Sequence, residues 1–172
     1  MIERMSGKAG SMVPATLALA VSIVPCVYAE HGEQTRFEIR NTTYREECGS
    51  CHIVYPPQFL SEQSWSALMS SLANHFGSDA SLDDATAREI GEFLRANAGR
   101  RATVDASGHP LERISETVWF RSAHRPGEDG LTEAIFDSEP VKSPANCGAC
   151  HRQAADGDYS ERSIRIPRGT GP

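Results

Sequence analysis

Cys48-Gly49-Ser50-Cys51-His52 is repeated, with one change, as Cys147-Gly148-Ala149-Cys150-His151. Two thiols three positions apart can reach both vinyl groups of one porphyrin and form thioethers. The histidine that follows then falls where its imidazole can bind the iron. Cys-x-x-Cys-His is accordingly the attachment signal for c-type haem, with the histidine on the proximal side. Two copies in 172 residues imply two covalently bound haem c groups, each with an iron.

Other uses of paired cysteines fit less well. Zinc sites built from two Cys-x-x-Cys pairs usually have the pairs about 15–20 residues apart. Here 95 residues intervene between Cys51 and Cys147, and zinc does not require a histidine after each pair. A thioredoxin-like redox pair needs a βαβ setting, which neither flank suggests. Disulfides suit exported proteins, but adjacent Cys-x-x-Cys pairs are poor staples.

The start of the chain reads as an export signal. Arg4 and Lys8 precede the mostly apolar run Val13 to Val27, and Val27-Tyr28-Ala29 offers a small residue for cleavage after Ala29. The run is short for a membrane span and contains Pro14 and Pro25. Periplasmic export agrees with haem attachment outside the bacterial cytoplasm. Cleavage removes Cys26 and leaves four of the five cysteines, all in the two motifs. Residues 30–172 lose Glu3, Arg4 and Lys8 from the whole-chain total of 17 basic and 23 acidic side chains. They keep 15 and 22, a net charge of −7. Such a surface disfavours nucleic acid and anionic membrane; it suits docking on a basic patch of another redox protein, or serves solubility. No later segment is long and apolar enough to span a membrane.

Positioning the first motif falls to residues 30–100. A short helix over Thr42 to Ser50 leads into it, and Ile53-Val54-Tyr55-Pro56-Pro57 reads as a loop laid on the haem. A helix over Glu62 to Phe76 is capped by Ser61 and stopped by Gly77. Trp65, Leu68, Met69, Leu72 and Phe76 form its apolar face, which His75 shares. A second helix, Leu82 to Ala98, starts at a capping box of Ser81 and Asp84 and stops at Gly99. Its inner stripe is Leu82, Ile90, Phe93, Leu94 and Ala98. Haem followed by helices that cover it is the plan of a class I cytochrome c. Such proteins usually hold the iron between His and Met. After cleavage Met69 is the one methionine left; it sits among core positions, so His75 is favoured as sixth ligand.

Residues 101–172 read as a distinct C-terminal haem domain with few regular elements. Ala102 to Pro110 looks like a linker. Ile114, Val118, Trp119 and Phe120 form an apolar cluster that either a helix or an extended segment can carry, and Leu131 to Phe136 is a short helix. With Met69 placed elsewhere, the local candidates for the second sixth ligand are His109 and His124. His124 is preferred because it follows Trp119-Phe120, whereas His109 lies in a polar stretch. His31 is read as free. The flanks of the two motifs differ, so they are not a recent tandem duplication. The fold class expected is mainly α.

Several of these stretches together resemble the small bacterial dihaem cytochromes c. They are Glu47 to His52 with Tyr55-Pro56-Pro57, the Trp65 helix, Asn74-His75-Phe76-Gly77, Trp119-Phe120 with His124, Val141 to Cys147, Tyr159-Ser160-Glu161-Arg162, and Ile164-Arg165-Ile166-Pro167. The resemblance covers about Glu47 to Pro167. It implies a class I-like N-terminal domain, a different C-terminal haem domain, and two histidines on each iron: His52 with His75 and His151 with His124. It further implies electron shuttling among periplasmic carriers, with an oxygen-binding monohaem cytochrome or a membrane b-type cytochrome as partner.

Six-coordinate irons leave no open site, so the chemistry expected is one-electron transfer. Met raises haem potential, so histidine in its place predicts a low-potential carrier. The rivals are a peroxidase or small-molecule reductase and a gas or redox sensor, both of which need an openable sixth position. Known dihaem peroxidases are larger, and a sensor wants an attached signalling domain.

Overall fold

The computed structural model describes residues 35–127 and 130–167. The expected export signal with its cleavage point at Ala29, Cys26 and His31 lie outside the described residues. Four α-helices occur among the described ones: α1 Thr42–Gly49, α2 Glu62–Ser70, α3 Asp84–Ala96 and α4 Val118–Ala123. Short 3-10 turns link them, and β pairing is confined to isolated bridges. The mainly α character expected from the apolar periodicity is what the chain adopts.

Each α-helix begins at a side-chain cap that fills an otherwise unpaired N–H. Asn41 accepts from Tyr44 N at 2.6 Å, and Ser61 from Ser64 N at 3.4 Å. For α3 the cap is Asp83 rather than Ser81. Its carboxylate accepts from Ala85 N, Thr86 N and Thr86 Oγ1, and a carboxylate can take all three where one hydroxyl cannot. Those bonds hold the Asp83 carboxyl below its usual range.

The helix expected over Glu62 to Phe76 stops at Ser70. Ser70 Oγ and Ser71 Oγ donate to the carbonyls of Ala67 and Leu68, a competition with the helical ladder that weakens it. The chain continues as a 3-10 turn, Leu72–Asn74, and His75 leaves helical geometry. Phe76 has φ 53° and Gly77 φ 96°. This left-handed pair turns the chain back, so that His75 and Ser78 exchange backbone hydrogen bonds at 2.7 and 3.1 Å.

Tyr44, Leu60, Trp65, Leu68, Ile90 and Leu94 form one core where α1, α2 and α3 meet. Ile90 and Leu94 are 0% and 1% exposed, each burial contributing about 1.5–3 kcal/mol. Met69 is partly buried and packs against this core. Leu131, Ile135, Val141 and Ala149 form a second core beside the second motif; the Leu131 to Phe136 helix is a 3-10 turn, Glu133–Ile135.

Ala102 to Pro110 is not a loose tether. Thr103 is buried, its hydroxyl accepts from Ser61 N at 2.9 Å, and its carbonyl accepts from Ser64 Oγ at 2.9 Å. Asp105 Oδ1 closes the following turn by accepting from Ser107 N and His109 N. The described residues all belong to one compact unit, Glu33–Pro172.

Candidate functional site

In the first motif, Cys48 lies on the last turn of α1 and Cys51 just beyond it. Cys48 is half-buried, and that burial, followed by the charge of Glu47, pushes its thiol up to about 11. His52 donates from Nδ1 to Ile53 O at 2.6 Å. Its ring faces that of His75 with centroids 6.3 Å apart and planes at 22°. Burial, then the neighbouring His52, lowers the pKa of His75, so its imidazole is neutral at pH 7. Phe76 packs on His75 at 4.8 Å, and the Arg113 guanidinium lies 4.1 Å above the Phe76 ring, a cation–π contact.

The second motif follows a similar plan on different elements. Cys147–Ala149 is a 3-10 turn, with burial pushing the Cys147 thiol up to about 11 and Cys150 upward. Thr117 caps α4 through Phe120 N, so the apolar cluster at 118–120 is helical. It is not buried throughout: Val118 is 80% exposed. At the C-terminus of α4, His124 Nδ1 donates to Phe120 O at 2.9 Å and the ring stacks on Phe120 at 4.0 Å. His124 and His151 lie 6.1 Å apart with planes at 69°. Burial, then His124, lowers the pKa of His151. Its Nδ1 and the hydroxyl of neighbouring Tyr159 are buried without a hydrogen-bond partner. Two polar atoms left this way suit a site built around a further group, because each would otherwise cost the desolvation of an unmade bond.

His109 takes no part in this convergence. It is exposed and faces Asp105 at 3.3 Å. Among the described residues, no group of three or more His, Cys, Asp or Glu side chains gathers as a polydentate metal site. The four motif cysteines are not joined in disulfides.

Tyr55 belongs to the loop expected to lie on the haem and to one of the stretches that carry the family resemblance. It does more: its ring stacks on His52 at 4.9 Å and its hydroxyl donates to Ala145 O at 2.7 Å. The bond spans 90 positions, a separation over which local sequence carries no signal. Burial, then Cys147, pushes this hydroxyl up to about 12, so it remains a donor at neutral pH.

The model of the family described as dihaem cytochrome c matches residues 44–159. Among solved structures, DHC purified from Rhodobacter sphaeroides is 41% identical over 70% of this chain and 98% of that one, with a TM-score of 0.58. The dihaem cytochrome type c of Shewanella baltica is 32% identical over 76% and 96%, at 0.62. Another dihaem cytochrome c structure from Rhodobacter sphaeroides is 36% identical over 72% and 99%, at 0.60. No curated protein matches. A match over both motifs and the segment between them identifies the chain as a member of the dihaem cytochrome c family, carrying two covalently bound haem c groups with their irons.

Proposed function

We propose that this cytochrome is a low-potential, one-electron carrier of the bacterial periplasm in which each iron is held between two histidines. His52 and His75 serve the first haem, with Cys48 and Cys51 as its attachment points. His151 and His124 serve the second, attached at Cys147 and Cys150. The observation that carries this reading is the two pairs of neighbouring imidazoles, at 6.3 and 6.1 Å between centroids. A metal bonded to a nitrogen of each ring at about 2 Å, with each nitrogen about 1.1 Å from its ring centre, needs about 6 Å. Both pairs supply that spacing.

Protonation supports the same reading. His52 and His124 donate from Nδ1 to carbonyls, which leaves Nε2 unprotonated and able to bind metal. His75 and His151 are kept neutral by burial, as a ligand must be. When bound, the haems supply reversible one-electron chemistry at iron. The two histidines of each pair would hold each iron, Phe120 and Phe136, which pack at His124, would keep water from the second haem, and ligand identity and burial would set the potential. With a histidine on each side, neither iron would have an open site, which favours a carrier over a peroxidase, reductase or gas sensor. The acidic side chains, in excess over basic ones, serve docking on redox partners such as an oxygen-binding monohaem cytochrome or a membrane b-type cytochrome. Among the described residues no helix is long and apolar enough to cross a membrane.

The test is a reduced-minus-reduced-plus-carbon-monoxide spectrum of the haem-loaded protein. No change is expected. A change equivalent to one haem would show an openable site and overturn the carrier reading.

A further inference from the structure

One side chain, Tyr55, bonds the segment after the first haem-binding motif to the approach of the second. Tyr55 lies three residues after His52 and stacks on its ring with planes at 27°. Its hydroxyl donates to Ala145 O, and the same carbonyl accepts the backbone N–H of Cys147 at 3.0 Å. A continuous path therefore runs from the His52 imidazole, through the Tyr55 ring and one shared carbonyl, to the first thioether cysteine of the other motif. Two further contacts hold it in place. Tyr44, buried in the first core, donates its hydroxyl to Tyr55 O at 2.9 Å. A Cβ built on Gly148 would lie 3.9 Å from Ile53 Cγ2, which puts the second motif against the segment that carries Tyr55.

We infer that Tyr55 is the positioning residue that fixes the second attachment motif against the first and couples the two haems electronically. The step it serves is the passage of one electron: the ferrous iron of one haem becomes ferric and the ferric iron of the other becomes ferrous. No proton moves, and Tyr55 is neither oxidised nor reduced. A hydrogen bond is a shorter step for that passage than a van der Waals gap between the same groups. Tyr44 and Tyr159 lack this double attachment: Tyr44 bonds within its own half, and the Tyr159 hydroxyl has no hydrogen-bond partner.

The inference rests on the two-haem carrier reading, and its experiment separates the two. Tyr55→Phe keeps the stack on His52 and removes the bond to Ala145. In half-reduced protein, exchange spectroscopy by NMR should show electron exchange between the haems several-fold slower than in the native protein. The midpoint potential of the second haem should shift, while both haems stay low-spin and silent to carbon monoxide. Exchange at the native rate with unshifted potentials overturns the role of Tyr55 and leaves the carrier reading standing. Carbon monoxide binding to the native protein overturns the carrier reading instead. A second measurement needs no variant. In fully reduced, diamagnetic protein, the Tyr55 ring and the Cys147 amide proton should show a nuclear Overhauser contact, because both groups bond one carbonyl; its absence also overturns the proposal.

Discussion

His75 shows how much a single residue depends on its neighbours. The helical spacing that placed it on an apolar face ends at Ser70, yet its ring still meets His52. What aims it is the turn that Phe76 and Gly77 make with positive φ and that Ser78 closes with two backbone bonds. A phenylalanine in the left-handed region is costly, and here the Arg113 guanidinium packs on its ring. Because Met ligation raises haem potential relative to His, His75→Met should raise the midpoint of the first haem and leave the second near its native value. A redox titration with both midpoints unchanged would remove His75 from the coordination proposed for it.

At the scale of elements, α4 is six residues long and far too short to persist by itself. It carries Phe120 against the second haem region and presents His124 at its last turn. Its stability comes from its ends. Thr117, 1% exposed, accepts from Phe120 N at 3.3 Å and donates to Ile114 O at 2.7 Å. Thr117→Val keeps the shape and removes both bonds. It should cost about 1–2 kcal/mol in denaturant unfolding of the haem-loaded protein, whereas a cost near zero would mean that packing alone holds α4. Caps of this kind are legible where the side chain is unambiguous, as with Ser61 before α2. They mislead where capping residues crowd together: in Ser81-Leu82-Asp83-Asp84 the stronger acceptor, Asp83, takes the role. The end of α2 was missed for a related reason, since an apolar face continues in spacing past Ser70 while the serines withdraw the backbone from the helix.

Across the whole molecule, the two ends of the described chain are tied together. Phe37 N donates to Gly157 O and Tyr159 N to Thr35 O, and Arg36 pairs with Asp158 at 2.8 Å. Gly157, at φ 75°, must be glycine, because a Cβ there would run into Phe37 O. Phe37, Phe59, Trp119 and Tyr159 then pack edge to face and tilted over this seam. Hydrogen bonds from Ser160, then Arg36, hold the Asp158 carboxyl down to about 2, against about 3.9 for an unfolded chain. The folded value is the lower one, so this contribution to stability is fully present above about pH 4 and is lost as pH falls toward 2. Asp158→Asn should be less stable than the native protein near neutrality, and the difference should shrink between about pH 4 and pH 2. Unfolding curves that run parallel across that range would dismiss the linkage.

The sequence by itself determined the chemistry and the shortlist. Covalent haem needs Cys-x-x-Cys-His as a contiguous string, and contiguous strings survive any uncertainty about the fold. Counting Met and His after the expected signal narrowed the distal candidates to a few residues, and apolar periodicity located α1 and α3 within a few positions while overrunning the end of α2. Only the tertiary structure decided which histidine rings face each other, that His109 turns to Asp105 instead, and that Thr103 anchors a stretch composed like a linker. It alone decided that Tyr55 reaches Ala145. The physical reason is range: attachment chemistry, caps and the His109–Asp105 contact act over one to four residues, while the histidine pairs, the Thr103 anchor and the Tyr55 bond join residues 23 to 90 positions apart, where the closure of the whole chain and not local pattern brings groups together.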